Sequence, residues 1–157
     1  MKKIFFIIIT LFIVKPLISE QQEQIEISAD IMEWDKEKSY AVAIGNAKVT
    51  KGNIIIIANK ITAILDNNLQ DQNIEKILAY GNVKFTRDSE VATGNKAIYN
   101  LYNDTIVLEG AVNLKRQENI IKGEKLSIDF KTGLSKIEGS NSSEKVKMKY
   151  NTKEVND

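Results

Sequence analysis

Apolar and polar residues alternate along most of this chain, and short polar clusters interrupt the alternation roughly every fifteen positions. The first alternating stretch is Ile25-Glu26-Ile27-Ser28, running on to Trp34. The interrupting clusters fall at residues 35–38, 51–53, 66–73, 87–89, 102–104, 116–119 and 131–133. Between them the segments are rich in Ile, Val, Thr, Tyr and Phe, which suit a pleated surface, whereas the turn residues recur too often for helices. The single proline, Pro16, lies ahead of all of them, so none interrupts a ladder. The pattern predicts an all-β chain of eight or nine antiparallel strands in a meander, ending at residues 146–150.

The meander repeats itself. Gly45-Asn46, Gly81-Asn82 and Gly110-Ala111 each precede an apolar run, and Lys60, Lys96 and Lys125 each follow fifteen residues after the glycine. The glycine steps are 36, then 29, then 29 again to Gly139, and the seven surplus residues fit at 67–73. Gly45, Ala58, Gly81, Gly94, Gly110 and Gly123 all sit midway between successive turns. A small residue there lets the backbone bend or bulge, and bends at one level would fold the meander over itself. The expected architecture is two facing sheet halves, V-shaped or jellyroll-like in section.

Alternation in register assigns an inside face. Val83, Phe85, Tyr99, Val112, Leu114, Leu126, Ile128 and Phe130 lie on it, as do Met32 and Trp34, while Lys60, Lys96, Lys125 and Asp129 face water. Residues 54–57 are apolar on both faces and stay unassigned. An unclosed meander also leaves two edges, with Ile25 and Ile27 on the first and Val146 and Met148 on the last, and open edges are templates for another chain.

Composition narrows the chemistry. The chain has 157 residues, no His and no Cys, which removes the common zinc sites and the Ser-His and Cys-His nucleophiles. Its carboxylates sit in turns or on the outward face, Asp30 and Glu124 included, and its glycines are too far apart for a phosphate loop. No cofactor or metal is implied. Met1-Lys2-Lys3 followed by a short apolar run and Lys15-Pro16 reads as a secretory signal over residues 1–19, ahead of a flexible lead-in at 20–24, a β domain at 25–150 and a polar tail at 151–157. An uncleaved anchor is the alternative. Losing Lys2, Lys3 and Lys15 moves the formal charge from +1 to −2, which argues against nucleic acid.

The chain resembles the LptA/OstA-like family. The resemblance rests on Ala29-Asp30 with Trp34-Asp35, Gly81-Asn82-Val83 with its near copies Gly45-Asn46-Ala47 and Gly110-Ala111-Val112, residues 91–99 (Val-Ala-Thr-Gly-Asn-Lys-Ala-Ile-Tyr) and residues 123–129 (Gly-Glu-Lys-Leu-Ser-Ile-Asp). It implies a periplasmic, non-enzymatic protein that holds the acyl chains of lipopolysaccharide in an apolar groove. It further implies head-to-tail stacking of copies between an inner-membrane transporter complex and an outer-membrane translocon. A membrane-anchored partner of the same fold, and an assembly protein with a sealed core, remain open at this point.

Overall fold

The computed structural model describes residues 23–66, 73–140 and 145–150. The segments 1–22 and 151–157, which carry the expected signal, most of the lead-in and the tail, lie outside the described residues.

Among the described residues, ten strands form one antiparallel sheet: β1 (Ile25–Ser28), β2 (Ile31–Asp35), β3 (Tyr40–Lys51), β4 (Ile54–Leu65), β5 (Ile74–Arg87), β6 (Glu90–Asn100), β7 (Thr105–Arg116), β8 (Asn119–Asp129), β9 (Ser135–Glu138) and β10 (Lys147–Lys149). Each of the six long strands β3 to β8 pairs with its neighbours in sequence. Two short strands complete each edge. β1 and β2 cover the two halves of β3, and β9 and β10 cover the two halves of β8. The stretch 25–34, expected as one strand, is broken at Ala29-Asp30 because it crosses the level at which β3 bends.

That bend is a crease of β-bulges. Between the pairs Ile44↔Lys60 and Ala47↔Ala58, Gly45 and Asn46 stand against Asn59 alone, and the same two-against-one mismatch sets Gly81-Asn82 against Asn95 and Gly110-Ala111 against Glu124. Both residues of each pair are left-handed, with φ of 79° and 46°, 76° and 49°, 86° and 48°. Glycine and asparagine tolerate that region, and alanine does so only at a cost. At Gly81 the requirement is doubled, since a Cβ would lie 2.8 Å from Asn59 Nδ2. Ala58, Gly94 and Gly123 do not adopt positive φ; they pair with Ala47, Val83 and Val112 beside the bulges. At the two glycines the smallness reflects close approach: a Cβ on Gly94 would lie 3.1 Å from the Glu109 carbonyl oxygen, and one on Gly123 2.8 Å from that of Glu138.

The crease divides the sheet into two halves. In one, which we call the hairpin half, two-residue turns join Lys51 to Ile54, Arg87 to Glu90 and Arg116 to Asn119, each opening on a residue of positive φ as tight hairpins require. In the other, the loop half, longer connections join the strands at 36–39, 66–73, 101–104 and 130–134. The inner faces of the halves pack together into one core that includes Ile56, Ile61, Ile77, Phe85, Tyr99, Ile106, Leu108, Leu114 and Leu126, all at most 1% exposed. Burying a side chain such as Phe85 contributes about 1.5–3 kcal/mol.

The inner face and its mouth

Seven of the eight residues expected to line a groove are brought onto this shared inner face. Val83, Phe85, Tyr99, Val112, Leu114, Leu126 and Ile128 are each at most 3% exposed, and Phe130 is half-buried at the free end. Phe130 ties the two halves together: its ring stacks on Phe85 of the hairpin half and meets Tyr99 of the loop half edge-on, both at 5.8 Å between centroids. The apolar lining therefore runs across all six long strands, with the halves in contact along it. The described surface clefts lie elsewhere, on the outer side of the crease, such as one of about 450 Å³ beside Glu124, Gly139 and Lys145.

The lining does not stop at the last covered strand. Trp34 pairs with Ala41 and Met32 with Ala43, so both side chains share the inner face, yet they are 65% and 53% exposed. Sequence alternation gives their face and not their exposure, because among the described residues no strand lies beyond β2 to cover them. At the opposite edge Met148 pairs with Ile121 and is 57% exposed, and Ile137 pairs with Leu126. Ile25 and Ile27 pair with Lys51 and Val49 and pack half-buried against the core. Val146 is exposed and precedes β10.

Opposite the crease, where the free ends of the halves meet, lies a mouth. Across the hairpin tips the inward positions in strand order are Ile25, Lys51, Ile54, Arg87, Glu90 and Arg116. The three cations each reach the loop half. Lys51 Nζ is 3.9 Å from Asp104 and 5.9 Å from the Tyr99 ring, the Arg87 guanidinium lies 4.7 Å over Phe130, and Arg116 donates to Ser135 Oγ at 2.7 Å. On their own side, Lys51 pairs with Glu23 at 3.2 Å, Arg87 with Asp88 at 3.8 Å and Arg116 with Glu90 at 2.7 Å. Tyr99 donates to Asp104 at 2.7 Å; burial and then this bond hold its hydroxyl protonated well above the ordinary tyrosine range.

Alternation alone places Lys51, Arg87 and Arg116 in turns. The signal that finds them is the repeat, since they are separated by the same 36 and 29 residues as the glycines. The same periodicity finds the polar residues that face the bulges: Asp30, Asn59, Asn95 and Glu124. Asn46 donates to Asp30 at 2.9 Å, Asn82 to Asn59 at 3.4 Å, and the Ala111 N–H to Glu124 at 3.1 Å. Expected as solvated edge or turn carboxylates, Asp30 and Glu124 stand in the crease and accept these bonds. Among the described residues no group of three or more acidic side chains is arranged to hold a metal ion.

The comparison with known proteins fits this geometry. Residues 26–134 match the family described as LptA/(LptD N-terminal domain) LPS transport protein. The chain belongs to that family. It is 28% identical over 130 residues to the lipopolysaccharide export system protein LptA of Haemophilus influenzae, covering 77% of this chain and 73% of that one. An uncharacterized protein of Rhizobium meliloti is 29% identical over 122 residues, and the match spans 74% of this chain and 66% of the relative. In fold, the chain superimposes on the crystal structure of LptH, the LptA-homologous periplasmic component of the lipopolysaccharide transport device of Pseudomonas aeruginosa, with a TM-score of 0.74 over 85% of this chain and 99% of that one, at 20% identity. The open, folded antiparallel sheet is thus the architecture of this group. The family consists of non-catalytic transport proteins, and its compartment is the periplasm.

Proposed function

We propose that the two sheet halves receive the acyl chains of lipopolysaccharide between their inner faces and that copies stack edge to edge to extend this path across the periplasm. One observation carries the reading: the apolar inner face runs from edge to edge and ends in large exposed side chains, Met32 and Trp34 on one side and Met148 on the other. A self-contained core would end in polar or covered edge positions. An acyl chain in water costs about 25 cal/mol for each Å² of apolar surface, and a continuous lining keeps that surface covered with no chemistry at any station. In the closed arrangement the lining residues touch one another, so chains enter as the mouth widens about the crease.

The repeat supplies a register for stacking. Val42↔Thr62, Leu78↔Ile98 and Val107↔Ser127 are equivalent pairs in successive hairpins. One repeat further, Lys136 of β9 meets Glu33 of β2 in a second copy, with Met32 beside Ile137 and Trp34 beside Ser135. Opposite charges then face water and apolar groups extend the lining. Head-to-tail growth of this kind leaves one β1/β2 edge and one β9/β10 edge free at the ends. Those ends suit like-folded partners in the inner-membrane transporter complex and the outer-membrane translocon.

A photo-activated crosslinker at Phe85, Tyr99 or Leu126 tests the path, with outward-facing Lys84 as control. Lipopolysaccharide captured from the inner positions and not from Lys84 is the expected result. Equal capture, or none, points to a sealed core. Cysteines at Glu33 and Lys136 test the register without background, since the chain has no cysteine of its own; directly opposed residues with Cβ atoms about 5 Å apart lie near disulfide range. A ladder of reducible multimers is expected, and monomers alone would contradict the register.

A further inference from the structure

The cations at the mouth have a use that the apolar lining does not explain. Lys51, Arg87 and Arg116 each end an odd-numbered long strand just before a two-residue turn, and each points inward at the rim of the lining. Alternate strands are about 10 Å apart, so the three form a row about 20 Å long. Their side chains are only 21%, 26% and 39% exposed. What they touch across the mouth is weak: a carboxylate at 3.9 Å, the face of an aromatic ring, and a hydroxyl. All three contacts span the two halves, so all three are lost when the mouth widens. The rim is then left with cations at the boundary between an apolar slot and water.

We infer that Lys51, Arg87 and Arg116 form a binding row for the phosphate groups of the amphiphile whose chains lie between the halves. This rests on the acyl-chain reading above. A phosphate-bearing headgroup joined to acyl chains places its charge where the chains end, at the rim of the slot. A guanidinium whose contact across the mouth is a ring face or a single hydroxyl exchanges that one partner for a charge-assisted and often bidentate bond to phosphate, which is the stronger interaction. Arg87 and Arg116 supply the planar forks, and Lys51 a point charge. The carboxylates in the neighbourhood are Glu23 and Asp104 at Lys51, Asp88 at Arg87 and Glu90 at Arg116. Asp104 belongs to the loop half and leaves with it, whereas the others stay beside their cations and limit the gain. Phosphate binding and mouth opening therefore favour one another: the headgroup compensates the cations that opening exposes.

The test uses the full chain carrying Lys51→Gln, Arg87→Gln and Arg116→Gln together. The probes are purified lipopolysaccharide, the same material stripped of its lipid phosphates, and inorganic phosphate as the free anion. The triple variant is expected to bind the phosphorylated amphiphile at least about tenfold more weakly and the stripped one unchanged. Millimolar inorganic phosphate is expected to leave both affinities unaltered. Charge-keeping Arg87→Lys and Arg116→Lys variants should lose only a part of the affinity, which separates a charge effect from a folding defect. In the unaltered protein, raising salt to about 0.5 M should weaken binding of the phosphorylated amphiphile and spare the stripped one. Equal losses for both amphiphiles, or no loss for either, overturn the row. Competition by inorganic phosphate reassigns the row to a free anion and overturns it as a headgroup site. A photo-crosslinker at Leu126 keeps the two readings apart: capture of the stripped amphiphile shows the slot working whatever the row does, and capture of neither amphiphile overturns the slot itself and the row with it.

Discussion

The crease crosses the six long strands at mid-length and the mouth lies where their ends meet, so the two stand at opposite ends of the folded section and are built on different terms. At the crease each odd-numbered long strand spends two left-handed residues against one on its neighbour, and short polar side chains bond across the mismatch. These contacts join strands that are already paired, so they hold whether the halves are together or apart. At the mouth the contacts join the halves themselves, through long cations with partly exposed heads. The difference separates a part that fixes where the sheet folds from a part that can let go. Backbone conformation is the constraint at one end and side-chain exchange at the other.

Substitutions should respect that division. Gly81→Val places a β-branched side chain in a left-handed backbone against Asn59, and a loss of about 3 kcal/mol in denaturant unfolding is expected. A loss below about 1 kcal/mol would mean that the bulge is soft. The crease also has a weak point. Ala111 holds φ of 48° where the equivalent residues are Asn46 and Asn82, so Ala111→Gly should stabilise by about 0.5–1 kcal/mol, read as a higher unfolding midpoint. Destabilisation there would show that the alanine methyl is needed for packing. At the mouth, Arg116→Gln should cost only about 0.5 kcal/mol, because the side chain is 39% exposed and its charge pairing is screened by water. A cost as large as that of Gly81→Val would erase the contrast between the two ends.

The smallest effect expected is one of pH. Asp129 accepts from the N–H groups of Lys131 and Thr132 at 2.9 and 3.0 Å, and these bonds lower its pKa. Its contribution is present above the unfolded value near 4 and is lost as pH falls through the depressed folded value. Amide exchange at Lys131 and Thr132 should therefore quicken below about pH 4, relative to the exchange expected of a free chain at the same pH, before the crease amides respond. Tyr99 works in the opposite sense. Its raised pKa gives stability that is complete below the ordinary value near 10 and declines only in stronger alkali.

Much of this division was legible in the sequence, and the reason is the repeat. Periodic glycines locate the odd-strand bulges, and two-residue alternation places Phe85, Tyr99 and Leu126 on one face because a pleated strand permits nothing else. The same alternation could not show that Met32 and Trp34 would be exposed, since burial depends on the strand beyond them and not on their own segment. Nor does composition distinguish Gly94 or Gly123, small because another strand comes close, from Gly81, small because its φ is positive. Arg87 looks like an ordinary turn residue until the fold brings Phe130, 43 positions later, under its guanidinium. Contacts between the halves are the part that local pattern does not encode.

The central claim is that the halves part to admit lipid while the crease holds, and an interspin distance measures it directly. Spin labels at Ser89 in the hairpin half and Leu134 in the loop half span the mouth, and labels at Lys48 and Lys84 lie within one half; the cysteine-free chain makes both pairs clean. Adding lipopolysaccharide should lengthen the Ser89–Leu134 distance by about 4 Å, roughly one layer of van der Waals contact, and leave Lys48–Lys84 unchanged. Lipopolysaccharide bound at saturation with both distances unaltered would contradict the account.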